Sequence, residues 1–413
     1  MVEGTKGIRL MQNIRVGHPD RMDISGIRQA IRSDPTAFMH RYQDLVEKGQ
    51  VTLRQIKDLR ALYQATADLQ VPVVVEDMGV QRAITTAAFP VLTGTTVVKA
   101  IQDAYDAAPT IGENLVTELD DPKAVTVIAR LAALDNINPQ QVDEGQDFPE
   151  IGVSEETVEI LGHRNGRMLR ITKEAIEQND IANIVQRVDA LGALASKYIE
   201  KLTLYRVMDV YGSAASAVAP YVYRPNGTNT ALFSATANTP GTRAPSGTRY
   251  ETNVLTDESD IENLRARMAT HKDDNGDPII VPITECVLLV PDALRFTAAQ
   301  IKGSEYEPST GGSLTLNPYG PRGDWSGWSI LSSPYLDNLT TAGTTTYYWG
   351  APKRQFVRKW GLRLEYVTMG ESTEAFLRSR IAFQARVAWN CNVGALDYVY
   401  WLQSLSATTA PAV

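Results

Sequence analysis

The sequence predicts an α+β fold organised around one long helix. From Asp180 to Tyr211 the apolar residues recur at steps of three and four, which is typical of one face of an α-helix. Apolar and polar residues alternate instead within two other stretches, 124–172 and 355–366, and alternation with a period of two indicates strands. The long helix and these two strand-rich stretches together predict the fold class.

The helix predicted at 180–211 is longer than most helices of globular proteins. At 1.5 Å per residue it would span about 45–50 Å. It contains no proline, and its interior glycine, Gly192, has good helix formers on both sides. Asn179 and Asp180 carry acceptors for the free N–H groups at its start, and Gly212 is placed to end it. We interpret the segment as a half-exposed spine on which other elements lie.

Composition excludes several classes of protein. With 413 residues, 43% of them hydrophobic, the chain can build a large core or two to three sub-domains. Its net charge of -8 argues against a general role in coating nucleic acid. Cys286 and Cys391 lie in apolar runs, so we expect two buried, reduced thiols and no disulfide framework. No apolar stretch is long enough to span a bilayer and no signal peptide is evident, so we expect a soluble protein made in the cytosol.

The N-terminal third is predicted to be mainly helical. Residues 1–20 are polar and basic without a clear period, and we expect a loose arm. Residues 23–68 have a helical period that is broken at 48–50, and Thr52 or its neighbours are placed to cap the second helix. Residues 71–101 are rich in β-branched and small side chains, which is as consistent with an extended segment as with a strand.

The stretch 124–172 predicts a long two-stranded projection. Asn165-Gly166 is a strong two-residue hairpin turn signal between two strand-like runs. Residues 138–152 in the middle of the stretch are polar, acidic and turn-rich, so little of the projection can be buried in a core of its own. Because an isolated hairpin is marginally stable in water, we expect it to rest on another surface.

The chain beyond the long helix predicts a second compact unit preceded by a loop. Residues 213–252 have the composition of a loop, and loops of this length usually have a role or are mobile. The elements then predicted are a helix at 257–271, a buried strand at 285–291, a short helix at 292–302, turn-rich strands at 308–350, and strands at 355–366 and 376–402.

A search for chemistry finds no catalytic, cofactor or metal site. The phosphate-binding loops, the dinucleotide fingerprint, the zinc-protease motif and the hydrolase elbow are all absent from the sequence. We expect the four histidines to be separate and exposed in polar segments: His18, His40, His163 and His271. Residues 271–282 resemble a calcium loop, but His271 replaces the first acidic ligand and Pro282 the final glutamate. We therefore predict a plain turn there.

Charge patterning is more informative than the motif search. One set of charged residues is acidic and lies in the projection: Asp143, Glu144, Asp147, Glu150, Glu155, Glu156 and Glu159. The other set is basic and lies in one late segment: Lys353, Arg354, Arg358, Lys359 and Arg363. The simpler interpretation is two solvated faces. The sharper one is that the acidic projection of one subunit lies over the basic surface of the next, where complementary charge fixes register and apolar contacts supply affinity.

The order of these parts resembles that of tailed-phage major capsid proteins of the Hong Kong 97 type, and especially of the Mu-like major head subunits. Glu174, Asn179 and Asp180 resemble the start of that family's spine helix. The resemblance extends over roughly residues 75 to 403, and the matching runs are GHRNGRMLRIT, KEAIEQNDIANIV, ALFSATANTPG at 231–241, ECVLLVPDALRFTAAQI, RKWGLRLEY and FQARVAWNC.

The resemblance implies a capsid subunit of the virion, assembled in the host cytoplasm and without enzymatic activity. It implies homo-pentamers and homo-hexamers in an icosahedral head that encloses double-stranded DNA, contacted non-specifically. It also implies scaffolding, portal, maturation protease and decoration proteins as partners, and no membrane. The domains implied are an N-terminal arm and helical region at 1–122, an extended hairpin (E-loop) at 123–172, a peripheral (P) domain at 173–255 completed by 351–384, and an axial (A) domain at 256–350 completed by 385–413.

Two alternatives stay open on the sequence alone. An encapsulin-like compartment shell shares the fold, although the long N-terminal helical region and the chain length suit it less well. A soluble α/β hydrolase would explain the size and apolar content, but it leaves the projection and the missing motifs unexplained.

Overall fold

The chain divides into two compact units in the computed structural model. Unit 1 draws its residues from Met1–Pro109, Asn165–Tyr198 and Leu364–Trp389, and unit 2 from Thr110–Arg164, Ile199–Arg363 and Asn390–Val413. The residues that the structure describes are 24–52, 62, 64, 66, 69–77, 80–134, 153–178, 181–214, 221–235, 243–273, 276–308, 315–338, 345–369 and 381–405.

The described part of the chain contains both helices and sheets with parallel and antiparallel pairs, which confirms the predicted α+β class. The helices are α1 Ile24–Ser33, α2 Pro35–Glu47, α3 Ala88–Asp106, α4 Lys173–Glu177, α5 Ile181–Val207, α6 Glu258–Ala269, α7 Arg295–Gly303, α8 Pro334–Asp337 and α9 Pro352–Gln355. The strands are β1 Gln70–Asp77, β2 Val80–Ala87, β3 Thr117–Asp120, β4 Val125–Leu134, β5 Val153–Leu161, β6 Arg164–Thr172, β7 Arg249–Tyr250, β8 Val287–Val290, β9 Ser329–Ser332, β10 Tyr347–Gly350, β11 Phe356–Met369, β12 Ile381–Ala395 and β13 Trp401–Ser404.

The predicted long helix is α5, which runs from Ile181 to Val207. Within unit 1 its side chains alternate between burial and exposure, since Val188 is fully buried and Leu194 is 46% exposed. The prediction of a half-exposed helix is therefore confirmed. Gly212, which was expected to end it, lies in the turns that follow and has a φ of +50°.

Gly192 has a packing role inside α5. A Cβ atom at this position would lie 2.3 Å from the carbonyl oxygen of Ile101 in α3, which is closer than any carbon and oxygen can approach without a bond. The two helices of unit 1 therefore pack backbone against backbone at this point. The glycine that weakens helix propensity is what permits the contact.

The N-terminal helices form as predicted up to residue 47. Asp34 caps α2 by accepting a hydrogen bond of 3.0 Å from the backbone N–H of Ala37, and Pro35 takes the first helical position. The predicted break at 48–50 is confirmed, and Gly49 has a φ of +68° there. Most of the second predicted helix, after Thr52, lies outside the described residues.

The expectation of an extended segment is wrong for its second half. Residues 88–106 form the helix α3, although β1 and β2 pair as an antiparallel hairpin before it. Leu92, Val97 and Ile101 are buried at 1%, 0% and 1% exposure and form an inner stripe on α3. The lower helix propensity of Val and Thr amounts to only tenths of a kcal/mol per residue, roughly 0.5 at most, and burial of this stripe outweighs it.

The hairpin turn predicted at Asn165-Gly166 is also wrong. Both residues lie inside β6, which pairs with β12 in a four-stranded sheet of order β3-β11-β12-β6, while β5 pairs with β4. A Cβ atom on Gly166 would lie 2.8 Å from the carbonyl oxygen of Val387 in β12. The glycine is thus explained by close approach of a neighbouring strand, which is the other common reason for glycine in a strand.

The core of unit 2 is a five-stranded sheet of order β7-β13-β10-β8-β9. The predicted strands in this part of the chain are confirmed. Alternate residues of β10 enter different apolar clusters, with Tyr348 on one face and Tyr347 and Trp349 on the other. Because both faces are covered, the strand Val287–Val290 is a continuous apolar run, as is usual for strands buried on both sides.

We predict that Gly192→Ala destabilises the protein. Alanine in a helix interior normally stabilises the folded state by about 1 kcal/mol relative to glycine. At position 192 its Cβ would clash with the Ile101 carbonyl, so we expect the free energy of unfolding to fall by about 1–3 kcal/mol instead. Urea unfolding monitored by circular dichroism measures the change. Ala190→Gly, at an exposed position of α5, is the matched control and should cost only about 1 kcal/mol. Helix propensity alone predicts that Gly192→Ala is about 1 kcal/mol more stable than wild type. That result would contradict the packing described.

Candidate assembly surfaces

Within unit 2, the base of the β4–β5 hairpin is fixed along the outer edge of β5 to residues 224–226. The backbone N–H of Glu159 donates to the carbonyl of Arg224 at 3.2 Å, and that of Asn226 donates to the carbonyl of Thr157 at 2.7 Å. The side-chain oxygen of Asn226 accepts from the N–H of Thr157 at 3.1 Å. The expectation that the hairpin rests on another surface is therefore confirmed for its base, while residues 135–152 lie outside the described residues.

The two faces of this hairpin differ in exposure. Val158 and Ile160 on the inner face are each 2% exposed. Val125 and Val127 on the outer face are 41% and 55% exposed, and Val127 lies directly opposite Glu159 on the neighbouring strand. The outer face therefore combines exposed apolar side chains with a carboxylate, a composition suited to contact with another surface.

The acidic set is only partly described. Glu159 forms an ion pair of 3.2 Å with Arg224 of its own subunit. The backbones of Glu155 and Glu156 lie in β5. The remaining members of the set, Asp143, Glu144, Asp147 and Glu150, lie outside the described residues. Contact between this set and a neighbouring subunit stays a prediction.

Three members of the basic set are exposed. Lys353 lies in α9. Arg354 forms two hydrogen bonds of 2.5 and 3.0 Å with the carboxylate of Glu285. Arg363 in β11 bonds the carboxylates of Glu118 and Asp120 at 3.0–3.2 Å. Exposed ion pairs of this kind contribute little to stability, so neither arginine is strongly constrained by its partner.

Arg358 and Lys359 are buried in the subunit, at 3% and 0% exposure. The Arg358 guanidinium donates to the Thr203 hydroxyl at 3.1 Å and lies 3.5 Å from the Glu118 carboxylate. The Lys359 ammonium donates to the carbonyl of Lys123 at 2.6 Å, and burial lowers its pKa. Both charged groups therefore bond to groups of their own subunit.

A buried carboxylate beside Arg358 was missed by the sequence reasoning. Glu200 is 6% exposed and accepts hydrogen bonds from the backbone N–H groups of Ile111 at 2.9 Å and Gly112 at 3.0 Å. Burial raises its pKa, while these two bonds and the Arg358 charge oppose the increase. A signal was available in the sequence, because Leu204 and Val207 stand four and seven residues after Glu200 and place it on an apolar stripe of the helix.

A second buried carboxylate follows the end of α5. Asp209 has a φ of +51°, and its Oδ2 accepts from the backbone N–H of Leu232 at 2.7 Å. Its Oδ1 is buried and has no hydrogen-bond partner within the described part of the chain. Burial raises the pKa of Asp209 to about 7, and the Arg206 and Arg249 charges oppose the increase.

The histidine expectation is wrong for His271, which is fully buried. Its Nδ1 lies 2.7 Å from the carbonyl oxygen of Val399, and the short turn after it brings this polar stretch back onto the core. The chain turns here as predicted, since the Asp273 carboxylate accepts from the N–H of Asp277 at 2.9 Å, although residues 274–275 lie outside the described part. No group of three potential metal-ligating side chains comes together among the described residues.

Both cysteines are buried and free, as expected. Burial raises the pKa of each thiol to about 12, so neither is an activated nucleophile. In the described part of the chain, no helix is long and apolar enough to cross a membrane.

The sequence matches the family model described as phage capsid protein over residues 155–402, more than half of the chain. The chain therefore belongs to the phage capsid protein family. It is a structural subunit of a phage head and a component of the virion capsid, and it is not an enzyme. The encapsulin and hydrolase alternatives are not favoured. A search of curated proteins finds no match.

Several solved capsid structures resemble the fold at low sequence identity. The capsid of the cyanophage P-SCSP1u is 11% identical, with a TM-score of 0.46, and the match covers 73% of this chain and 89% of that one. The capsid of a native GTA particle is 9% identical, with a TM-score of 0.44 and coverages of 72% and 89%. The capsid of Ralstonia phage GP4 is 11% identical, with a TM-score of 0.42 and coverages of 73% and 89%. The family assignment rests on the match over 155–402.

We predict that Asp209 makes stability depend on pH. Its pKa in the folded state, about 7, lies above the ordinary value of 3.8, so the folded protein binds the proton more tightly than the unfolded chain. Its stabilising contribution is fully present below about pH 4 and is lost as pH rises to about 7, by at most about 1.4 kcal/mol per pH unit.

Asp209→Asn should remove this dependence while keeping an acceptor for the Leu232 N–H. Its free energy of unfolding, measured in urea at pH 5 and pH 8, should improve relative to wild type at the higher pH. Asp324→Asn, at an exposed carboxylate, should show no such change. Parallel pH profiles for Asp209→Asn and wild type would rule out the assignment.

Proposed function

We propose that this chain is the major subunit of an icosahedral phage head and assembles into pentamers and hexamers that enclose double-stranded DNA. The observation that carries the proposal is the match to phage capsid proteins over residues 155–402. That range contains most of β5, the long helix α5 and the aromatic sheet of unit 2. The order of hairpin, long helix and sheet is the order of parts in the Hong Kong 97 type.

We further propose a domain assignment on this basis. Residues 1–122 are the N-terminal arm and helical region and 123–172 the E-loop, whose described strands are β4, β5 and β6. Residues 173–255, completed by 351–384, are the P domain and contain α5. Residues 256–350, completed by 385–413, are the A domain and contain α6, α7 and most of the five-stranded sheet.

The contact proposed between subunits places the acidic E-loop of one copy over the basic segment of the next. Support comes from the exposure of Lys353, Arg354 and Arg363, and from Val125 and Val127 on the outer face of the hairpin. The charges fix register and speed encounter, while the valines contribute the apolar part of the contact. Arg358 and Lys359 of the same segment are buried and hold it in place by bonding to Thr203 and to the carbonyl of Lys123.

Other partners follow from the same proposal. Scaffolding, portal, maturation protease and decoration proteins meet the head during assembly in the host cytoplasm, and DNA is contacted without base specificity. The net charge of -8 agrees with a shell that encloses DNA without coating it. Residues 20–70 are the counterpart of the scaffolding region that some relatives carry.

We expect the purified chain, or the chain co-expressed with its head proteins, to form shells, tubes or rings of five and six subunits. Negative-stain microscopy and sedimentation velocity measure this directly. Particles recovered from the native source should contain double-stranded DNA, since that content separates a phage head from an empty protein compartment. A monomer at high concentration under both conditions would contradict the proposed function.

We predict that Glu155→Lys combined with Glu156→Lys impairs assembly without unfolding the subunit. Like charges would then face the basic segment of the neighbour, and the assembled fraction should fall by about tenfold or more. Sedimentation velocity measures that fraction, and circular dichroism checks the fold. Glu159 is left unchanged because it pairs with Arg224 inside the subunit.

A charge swap provides the matched control. Lys353→Glu alone should impair assembly, and the combination with the two Glu→Lys changes should restore part of it, because opposite charges then face each other again. Full particle yield from the acidic variant, or no recovery in the triple variant, would exclude this pairing.

A further inference from the structure

An Asn-Gly pair forms the turn that holds the outer edge of β5. Asn226 and Gly227 have φ angles of +48° and +76°, and the backbone N–H of Thr228 donates to the carbonyl of Pro225 at 3.0 Å across them. Two positive φ angles in a row are typical of a type I′ turn, for which Asn-Gly is a preferred sequence. We propose that Asn226 is a self-modification site, at which the side-chain amide is converted to a carboxylate and the base of the β4–β5 hairpin is loosened.

The reaction needs only water in addition to the chain itself. The backbone nitrogen of Gly227 attacks Cγ of Asn226 and forms a new N–C bond. The bond from Cγ to the side-chain nitrogen breaks, and that nitrogen leaves as ammonia with the proton that the Gly227 nitrogen has lost. The product is a cyclic imide. Water then opens the imide at one of its carbonyl carbons, which gives aspartate or, by the other route, isoaspartate, whose backbone runs through the side-chain carbons.

The side chain of Asn226 is positioned for this attack by β5. Its Oδ1 accepts from the backbone N–H of Thr157 at 3.1 Å and from the Thr157 hydroxyl at 3.3 Å. Negative charge develops on this oxygen when the Gly227 nitrogen adds to Cγ, and donors aimed at such an oxygen stabilise the transition state. The strand therefore supplies a small oxyanion site to the neighbouring turn.

Closing the imide ring requires rotation about the bond between Cα and the carbonyl carbon of Asn226. The backbone N–H of Asn226 keeps its bond of 2.7 Å to β5 during this rotation. The bond of 3.0 Å from Thr228 to Pro225 must break. The Arg224 guanidinium, which donates to the Gly227 carbonyl at 3.1 Å, must follow the movement. Because Asn226 and Thr228 are exposed, water replaces the lost partner, and a hydrogen bond exchanged for one to water contributes only a small net free energy.

A second Asn-Gly pair of the same chain provides an internal control. Asn165 and Gly166 lie inside β6, and a Cβ atom on Gly166 would lie 2.8 Å from the carbonyl oxygen of Val387. Rotation of this peptide would break the pairing of β6 with β12, so the strand blocks the reaction that the exposed turn allows. Asn275 of the third pair lies outside the described residues.

Isoaspartate at position 226 changes the contacts that fix the hairpin base. The backbone becomes one carbon longer there, so the turn and its contacts with Thr157 cannot both be kept. A new carboxylate also appears beside the ion pair of 3.2 Å between Arg224 and Glu159. The Glu159 carboxylate lies 3.7 Å from the position of a Cβ atom on Gly227, so two carboxylates then compete for one guanidinium. The modification therefore loosens the outer edge of β5 as the protein ages.

Mass spectrometry of peptides from the incubated protein tests the reaction. After incubation of the folded protein at pH 8, conversion of Asn226 should exceed that of Asn165 by about tenfold or more. Thr157→Val removes one donor to Oδ1 and should slow the conversion by about threefold or more. Thr228→Val, at an exposed position of the same turn, is the matched control and should react at the wild-type rate. Circular dichroism checks that each variant is folded.

Hydrogen exchange tests the effect on the hairpin. The backbone N–H groups of Glu159 and Asn226 donate to the carbonyls of Arg224 and Thr157, and both should lose protection in protein that contains isoaspartate. Asn226→Asp, which introduces the acid without lengthening the backbone, should keep this protection. Treatment with an isoaspartyl methyltransferase and its methyl donor, which converts isoaspartate to aspartate, should restore it.

Equal conversion at Asn226 and Asn165, or a wild-type rate in Thr157→Val, would overturn the proposed site. Isoaspartate at position 226 with unchanged protection of the hairpin base would overturn its proposed effect. The proposed function as a capsid subunit does not depend on either result.

Discussion

The fold of unit 2 depends on one buried carboxylate, that of Glu200. It binds the backbone N–H groups of Ile111 and Gly112, and the neighbouring Arg358 connects Thr203 on the same helix to Glu118 on β3. Segments that are far apart in the chain therefore converge on one cluster of charges. Removing a single member would leave a buried charge without compensation, which is more damaging than losing an apolar contact of similar size. The end of α5 is fixed in unit 2 by this constraint.

The basic segment at 353–363 contributes charged side chains both to the interior of the subunit and to its surface. Arg358 and Lys359 satisfy buried acceptors, whereas Lys353 and Arg363 are exposed. The apolar residues divide in the same way, since the aromatic sheet is covered on both faces while Phe296 remains outside. A subunit whose final environment is a shell needs both kinds of residue. In the assembly proposed above, its exposed apolar side chains are available for contact with neighbouring subunits.

Much of the fold could be predicted from period alone, because α5, α6 and β8–β13 carry strong helical or strand patterns. The wrong predictions share a physical cause. In each case the local sequence allowed two secondary structures, and tertiary contacts determined which of them formed. Gly166 lies in a strand and allows the neighbouring strand to approach closely, whereas its sequence context predicted a turn. Residues 88–106 are rich in β-branched side chains but form a helix, because burial of its inner face outweighs their low helix propensity. A run of charged residues in the sequence does not show which of the side chains are exposed. The burial of Arg358 and Lys359 could therefore not be predicted from the sequence.

The anchored base of the β4–β5 hairpin has a kinetic consequence. Its backbone hydrogen bonds to residues 224–226 exist within the single subunit, so the conformational entropy of ordering this base is lost during folding and not at assembly. In the subunit contact proposed above, a neighbour that meets the outer valines would therefore encounter a surface already in its final shape. Such preformed contacts can be individually weak and still bind quickly, and weak contacts allow a wrongly placed subunit to leave before the shell closes.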